Sequence, residues 1–259
     1  MILEREQHGL VHVLRLNRPE AANSLNPEML RELARAFDET ATDDGTQVLV
    51  ITGAGERIFC AGMDLRAFSE NQGGPPKDGQ PAAEAPTGRS YDFRTMSPKP
   101  VIAAVNGAAV GGGFELALAC DLVVAADTAR FGLPEVKRGL LAGGGGTLLG
   151  LRLPLSLALE ITLTGDLIDA QRAAGWGLVN KVVPAAELLD AALALANTIA
   201  ANGPLAIRMT KDLVRRAVLD DPNRGWATSE ELTSIFSSQD AQEGAVAFLE
   251  KRPPSWKGR

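Results

Sequence analysis

The residues most able to do chemistry lie in one run, Ala103 to Glu135, reading AAVNGAAVGGGFELALACDLVVAADTARFGLPE. Three consecutive glycines, Gly111 to Gly113, open an apolar helical pattern, and one carboxylate, Glu115, falls in its first turn. A second carboxylate, Glu135, follows a short apolar strand and Pro134. Glycines let a backbone present its N–H groups to a ligand with no Cβ in the way. A helix start adds unpaired donors and a partial positive charge. Such a place can hold a developing oxyanion, and two carboxylates beside it can move protons.

Competing chemistries find little support. The chain has no GxxxxGK followed by Ser or Thr, and no glycine cluster completes GxGxxG, since the position required after Gly111 and Gly113 holds Leu116. The only histidines, His8 and His12, are far in sequence from every glycine cluster, which argues against a Ser-His-Asp arrangement or a His-rich metal site. The two cysteines, Cys60 and Cys120, stand in apolar surroundings and form no CxxC; they read as buried thiols in a reducing compartment. The chemistry is left to carboxylates and backbone dipoles, with a thiol as the remaining possibility.

Composition sets the frame for these residues. The chain has 259 residues, 45% of them hydrophobic, which fits one large domain or one domain with a helical tail. A net charge of −6 and a pI near 5.1 argue against a nucleic-acid partner, although a local basic cluster can still hold an anionic ligand. Glu4, Arg5 and Glu6 interrupt any signal-peptide pattern at the start, and no run approaches the ~20 apolar residues of a membrane span. The expectation is a soluble cytoplasmic protein with no membrane or nucleic-acid partner.

The elements that must position the candidate residues can be read in order. Residues 1–17 read as two strands around Gly9. Asn26-Pro27-Glu28 is a helix start, with a capping side chain, Pro at the first helical position and an early acid; Met29, Leu30, Leu33 and Phe37 then share one face. Gln47 to Thr52, Pro100 to Val105 and Asp121 to Ala126 read as core strands. A second glycine run, Gly143 to Gly146, leads toward a helix with Leu148 and Leu149, and Leu178 to Val183 reads as the last strand. Residues 71–88 (NQGGPPKDGQPAAEAPTG) are a loop by composition. From Pro184 on the pattern is helical, over roughly 185–202, 204–219, 228–237 and 239–250. The chain thus mixes strands and helices first and ends in helix alone.

Three segments in this order and spacing, GAGERIFCAGMDL (Gly53 to Leu65), NGAAVGGGFEL (Asn106 to Leu116) and FGLPEVKRGLLAGGGGT (Phe131 to Thr147), resemble the crotonase superfamily, the enoyl-CoA hydratase/isomerase family. The resemblance runs from LNRPEAANSLN at Leu16 to the C-terminal FLEKRPPSWKGR, and GWGLVN and the WKGR ending are most similar to its carnitinyl-CoA dehydratase-like branch. It implies an α/β fold, a spiral of ββα units over residues 1–200 with a C-terminal helical trimerisation region over 201–259. It also implies an acyl-CoA thioester as substrate, no cofactor beyond that coenzyme A, no metal, and a homotrimer or dimer of trimers.

Site residues carry over position by position. The resemblance implies an oxyanion hole made by the backbone N–H groups of Met63 and Gly112, each preceding or opening a helix. It implies Glu115 and Glu135 as the catalytic pair, with Glu115 acting on water and Glu135 on the substrate Cα, and Gly143 beside them in the water pocket. The resemblance implies coenzyme A contacts at Ala21, Ala22, Leu65, Arg66, Phe248 and Lys251; Glu20 stands where some hydratases carry lysine. Phe68, Tyr91, Phe93 and Trp226 are candidates either for an acyl pocket or for the core. Leu232, Ile235, Phe236, Val246 and Phe248 are apolar positions available for subunit packing. Having both acids points to addition of water to an enoyl thioester or its reverse. A double-bond isomerase, a thioester hydrolase and an acyl-CoA-binding protein with little turnover are the alternatives.

Overall fold

The computed structural model describes residues 1–64, 97–138, 140–219 and 228–259, with the side chains of Leu148, Leu219, Ser229, Leu232 and Phe248 outside the described set. Leu65, Arg66, Phe68, the 71–88 loop, Tyr91, Phe93 and Trp226 lie outside the described residues. Two sheets organise the rest. The larger has the order β1 (Leu3–His8), β2 (Val11–Leu16), β3 (Val48–Gly53), β5 (Val101–Val105), β7 (Leu122–Ala126), β10 (Lys181–Val183). β1 pairs antiparallel with β2 across the turn at Gly9, and the remaining neighbours are parallel. β3 and β5 are buried along their whole length. That is why VLVITG and VIAAV read as unbroken small-to-medium apolar runs rather than alternating ones: parallel central strands are covered on both faces.

The smaller sheet runs β4 (Ile58–Cys60), β6 (Ala108–Val110), β8 (Arg130–Gly132), β9 (Ile168–Asp169). From β3 to β8, consecutive strands therefore alternate between sheets. β3 is followed by β4, β5 by β6 and the helix α2 (Gly112–Ala119), and β7 by β8 and a 3-10 turn at Pro134–Arg138. This is a spiral of ββα turns. The sequence reading did not assign β4, β6 or β9, and it ran the last strand from Leu178, where only Lys181–Val183 pairs. Residues 146–151 form a 3-10 turn rather than an α-helix.

The first helix, α1 (Pro27–Thr42), starts as its sequence requires: the Asn26 side chain accepts from the Met29 N–H at 2.8 Å, and Met29, Leu30, Leu33 and Phe37 are buried. Two further helices, α3 (Leu155–Thr164) and α4 (Ala170–Gly175), had no counterpart in the sequence reading. The C-terminal helices are α5 (Leu188–Ala200), α6 (Pro204–Leu219), α7 (Ser229–Phe236) and α8 (Gln239–Glu250), close to the expected ranges. Lys211 and Arg215 fasten α6 to the spiral. Lys211 Nζ donates to the carbonyls of Ser97 and Lys99 and pairs with Asp121 at 2.7 Å, and Arg215 pairs with the same carboxylate at 2.9 Å. Among the described residues no helix is long and apolar enough to cross a membrane.

Candidate active site

The spiral brings the end of β4 against the start of α2. Gly111 caps α2 with φ 57° and ψ −130°, a left-handed conformation that side chains avoid. Its N–H donates to Gly132 O at 2.9 Å, which ties the helix start to β8. Gly111 O accepts from the Phe114 and Glu115 N–H groups at 2.8 and 3.0 Å. The N–H groups of Gly112 and Gly113, in the first helical turn, have no intrahelical acceptor. Gly113 must be glycine for another reason: a Cβ there would stand 2.0 Å from the carbonyl oxygen of Cys60.

Met63 lies across from Gly112. A Cβ built on Gly112 would be 3.5 Å from the Met63 nitrogen and 3.5 Å from Gly62 Cα. Met63 forms a parallel bridge with Leu25: Leu25 N donates to Gly62 O at 2.8 Å, and Asp64 N donates to Leu25 O at 3.1 Å. In a parallel bridge of this kind the N–H of the central residue faces away from its partner. The Met63 N–H is thereby turned from Leu25 and is available beside the start of α2. Whether Met63 precedes a helix falls outside the described residues.

Glu115 follows one turn into α2 and is 6% exposed. Its Oε1 accepts from the Gly146 N–H at 2.8 Å. A Cβ on Gly144 would stand 2.5 Å from Glu115 Oε2, whereas one on Gly143 would meet only Leu141. Gly144 and Gly146, rather than Gly143, are thus the glycines set against this carboxylate. Glu135 sits in the 3-10 turn after β8, with Oε1 3.1 Å from where a Cβ on Gly111 would be. The Phe114 and Phe131 rings pack 5.4 Å apart, holding the element that carries Glu115 against the one that leads to Glu135. Glu135 Oε2 is buried and has no partner in the described structure.

Burial raises the pKa of both acids. For Glu115 desolvation dominates, partly offset by the Gly146 bond and reinforced by the charge of Glu135. For Glu135 desolvation again leads, opposed by a backbone hydrogen bond and by Arg138. Two carboxylates with raised pKa next to an array of backbone donors can exchange protons with a bound molecule. The thiols cannot take part as nucleophiles: burial pushes Cys60 and Cys120 each up to about 12.

The remaining candidates are placed as follows. Ala21 ends a 3-10 turn, and Ala22 O accepts from the Ala61 N–H at 3.1 Å, so this segment abuts the stretch between β4 and Met63. Leu65 and Arg66 lie outside the described residues, as does the Phe248 side chain. Lys251 is exposed just past the end of α8. A half-buried network that the sequence reading did not single out, Arg18, Ser24 and Asp64, stands behind Met63.

The α/β spiral sets two desolvated glutamates beside backbone donors at a glycine-opened helix, an arrangement able to move protons next to an oxyanion. Residues 6–259 match the sequence model of the enoyl-CoA hydratase/isomerase family, and the chain belongs to that family. It is similar to the carnitinyl-CoA dehydratases of Proteus mirabilis (strain HI4320) and Escherichia coli O157:H7. Identity to the first is 40% over 257 residues, covering 97% of this chain and 96% of the relative. Identity to the second is 40% over 263 residues, covering 99% and 98%. Among solved structures it is similar to an enoyl-CoA hydratase from Mycobacterium tuberculosis H37Rv, at 43% identity and a TM-score of 0.85 over 100% of this chain and 99% of that one. It is also similar to the enoyl-CoA hydratase from Bacillus anthracis, at 35% identity and a TM-score of 0.89 over 100% of both chains. The mixed α/β spiral is the fold of those hydratases.

Proposed function

We propose that the protein is an enoyl-CoA hydratase, adding water to an α,β-unsaturated acyl-CoA thioester or running the reverse dehydration. The observation that carries the reading is the pairing of Glu115 and Glu135 at one glycine-opened helix start. In the hydration direction the water oxygen bonds to Cβ and loses a proton to Glu115. The C=C electrons move through Cα to the thioester oxygen, where the Met63 and Gly112 N–H groups meet the negative charge. Glu135 then delivers a proton to Cα as the enolate collapses. The Gly146 N–H, donated to its Oε1, favours Glu115 as the ionised base. The buried, unpartnered oxygen of Glu135 suits the protonated acid. No cofactor is needed beyond the coenzyme A of the substrate. Ala21, Ala22, Leu65, Arg66, Phe248 and Lys251 are the proposed contacts to it, with Gly143 in the turn that shapes the water pocket.

The test is loss of the enone-thioester absorbance with crotonyl-CoA and a panel of longer and aromatic enoyl-CoAs. Turnover on any member upholds the reading. Binding without turnover, or cleavage or double-bond migration instead of hydration, overturns it in favour of a binder, a hydrolase or an isomerase.

The chain is also proposed to assemble as a trimer, or a dimer of trimers, through residues 201–259 and the exposed face of α3. Leu155, Leu159 and Leu163 form a stripe on α3, 67%, 43% and 69% exposed, and Val214 and Val218 are exposed on α6. Phe236 and Val246, expected to serve in packing, are exposed as well. Two different apolar faces on one chain are what a head-to-tail ring requires. Leu159→Glu is expected to shift the protein from oligomer to monomer in light scattering at micromolar concentration, and an unchanged mass would remove α3 from the interface. An acidic chain with two buried free thiols fits a reducing, cytoplasmic compartment.

A further inference from the structure

We infer that Arg18 is a positioning residue for the Met63 oxyanion donor, an inference that rests on the hydration reading above. The direction of the Met63 N–H is decided by the residues on either side. On the N-terminal side the chain is held by Ala61 N donating to Ala22 O and by Gly62 O accepting from Leu25 N. On the C-terminal side it is held by Asp64, through its N–H to Leu25 O and through its carboxylate. Asp64 Oδ2 accepts from Arg18 Nη2 at 3.1 Å and from Ser24 Oγ at 3.3 Å. The other terminal nitrogen of Arg18 donates to Ser24 O at 2.8 Å and Ser24 Oγ at 3.3 Å. One guanidinium therefore clamps residue 64 to residue 24, directly behind the bridge that aims Met63.

The clamp is itself anchored. Arg18 N donates to Asn23 Oδ1 at 3.0 Å, and Asn23 Nδ2 donates to the carbonyls of Ala54 and Ile58, both at 2.9 Å. Asn23 is fully buried and holds φ 51°, a conformation that asparagine tolerates better than most residues. The Arg18 and Asp64 side chains are each only 15% exposed, so the pair is well shielded from water. A planar guanidinium can satisfy Asp64 and Ser24 at once; an ammonium cannot reproduce that fork. Catalysis by a donor of this kind depends on placement, and misplacement by about 1 Å can cost 10²-fold.

The experiment compares wild type, Arg18→Met, Arg18→Lys and Asp64→Asn. Turnover is measured on crotonyl-CoA and on crotonyl-pantetheine, which lacks the nucleotide. The absorbance shift of bound cinnamoyl-CoA is recorded because it reports polarisation of the thioester carbonyl. Arg18→Met is expected to lower kcat on both substrates by about 10–100-fold with KM little changed, and to shrink the cinnamoyl shift. Arg18→Lys is expected to fall between, and Arg18→Met combined with Asp64→Asn to be no worse than Arg18→Met alone. Unchanged kcat and shift in Arg18→Met overturn the inference. So does a loss confined to KM for the CoA substrate, which would make Arg18 a nucleotide contact. If Arg18→Met does not fold, Arg18→Lys and Asp64→Asn decide by the same two readouts. Wild type that shifts the chromophore without hydrating crotonyl-CoA would sink the hydratase reading alone, and the variants would still decide on the shift. Wild type with no shift sinks the oxyanion hole and this inference together.

Discussion

Glu115→Gln and Glu135→Gln are each expected to lower kcat for hydration of an enoyl-CoA by about 10²–10⁴-fold, the usual range for a positioned general acid or base. The amide keeps the shape and much of the hydrogen bonding but can neither take nor give the proton. Because the acids act as a unit on one substrate, the double variant is expected to be little worse than the weaker single one. A pH signature accompanies the loss. Both carboxyls have folded-state pKa values raised by burial, so the folded protein binds these protons more tightly than the unfolded chain does. Their contribution to stability therefore falls as pH rises from the ordinary carboxylate range through the raised values. Glu115→Gln removes that dependence. Its Tm relative to wild type is expected to climb as pH rises from 4.5, the ordinary glutamate value. A variant that retained most of its turnover, or whose relative Tm fell over that window, would contradict the assignment.

Gly113→Ala is expected to have an effect of similar size by a different route. The added Cβ would fall 2.0 Å from Cys60 O, 2.6 Å from Cys60 C and 2.7 Å from Cys60 Cβ. These atoms, two of them backbone at the end of a buried strand, cannot swing aside, so β4 and α2 must separate. Overpacking of this kind costs about 1–3 kcal/mol, sometimes more. The larger consequence is for chemistry. Met63 lies just past Cys60, and Gly112 just before Gly113, so parting the two elements pulls the oxyanion donors off a shared oxygen. Loss of one such donor costs about 3–4 kcal/mol of transition-state stabilisation. Urea unfolding and kcat, measured beside Gly150→Ala, test this, since a Cβ on Gly150 meets nothing within 4 Å. A Gly113→Ala enzyme as active and stable as the control would show that this contact does not hold the site.

Much of the architecture was legible along the chain. Asn26-Pro27-Glu28 announced the start of α1 because capping is a matter of adjacent residues, and the Asn26 bond to Met29 N is what forms. The runs at 47–52 and 100–105 announced buried strands because parallel central strands need apolar residues on both faces. β4, β6 and β9 passed unnoticed because strands of two or three residues carry too little pattern to stand out. The leucines of α3 could be recognised as apolar, but nothing local says that Leu155, Leu159 and Leu163 face outward rather than into the core.

The same division runs through the site. A triple glycine followed by an acid marks a donor-rich helix start from neighbouring residues alone, and the type of chemistry follows from it. Which partners meet there is another matter. Gly146 reaches Glu115 across 31 positions, and Arg18 reaches Asp64 across 46. Four successive glycines at 143–146 are equivalent as letters, yet the path of the turn sets Gly144 and Gly146 against the carboxylate and Gly143 against Leu141. Caps, buried strands and helix starts depend on near neighbours and are written in the chain. The burial that raises both acids, the turning of the Met63 N–H and the clamp behind it depend on segments that meet only when two sheets wind into a spiral, so tertiary structure alone decided them.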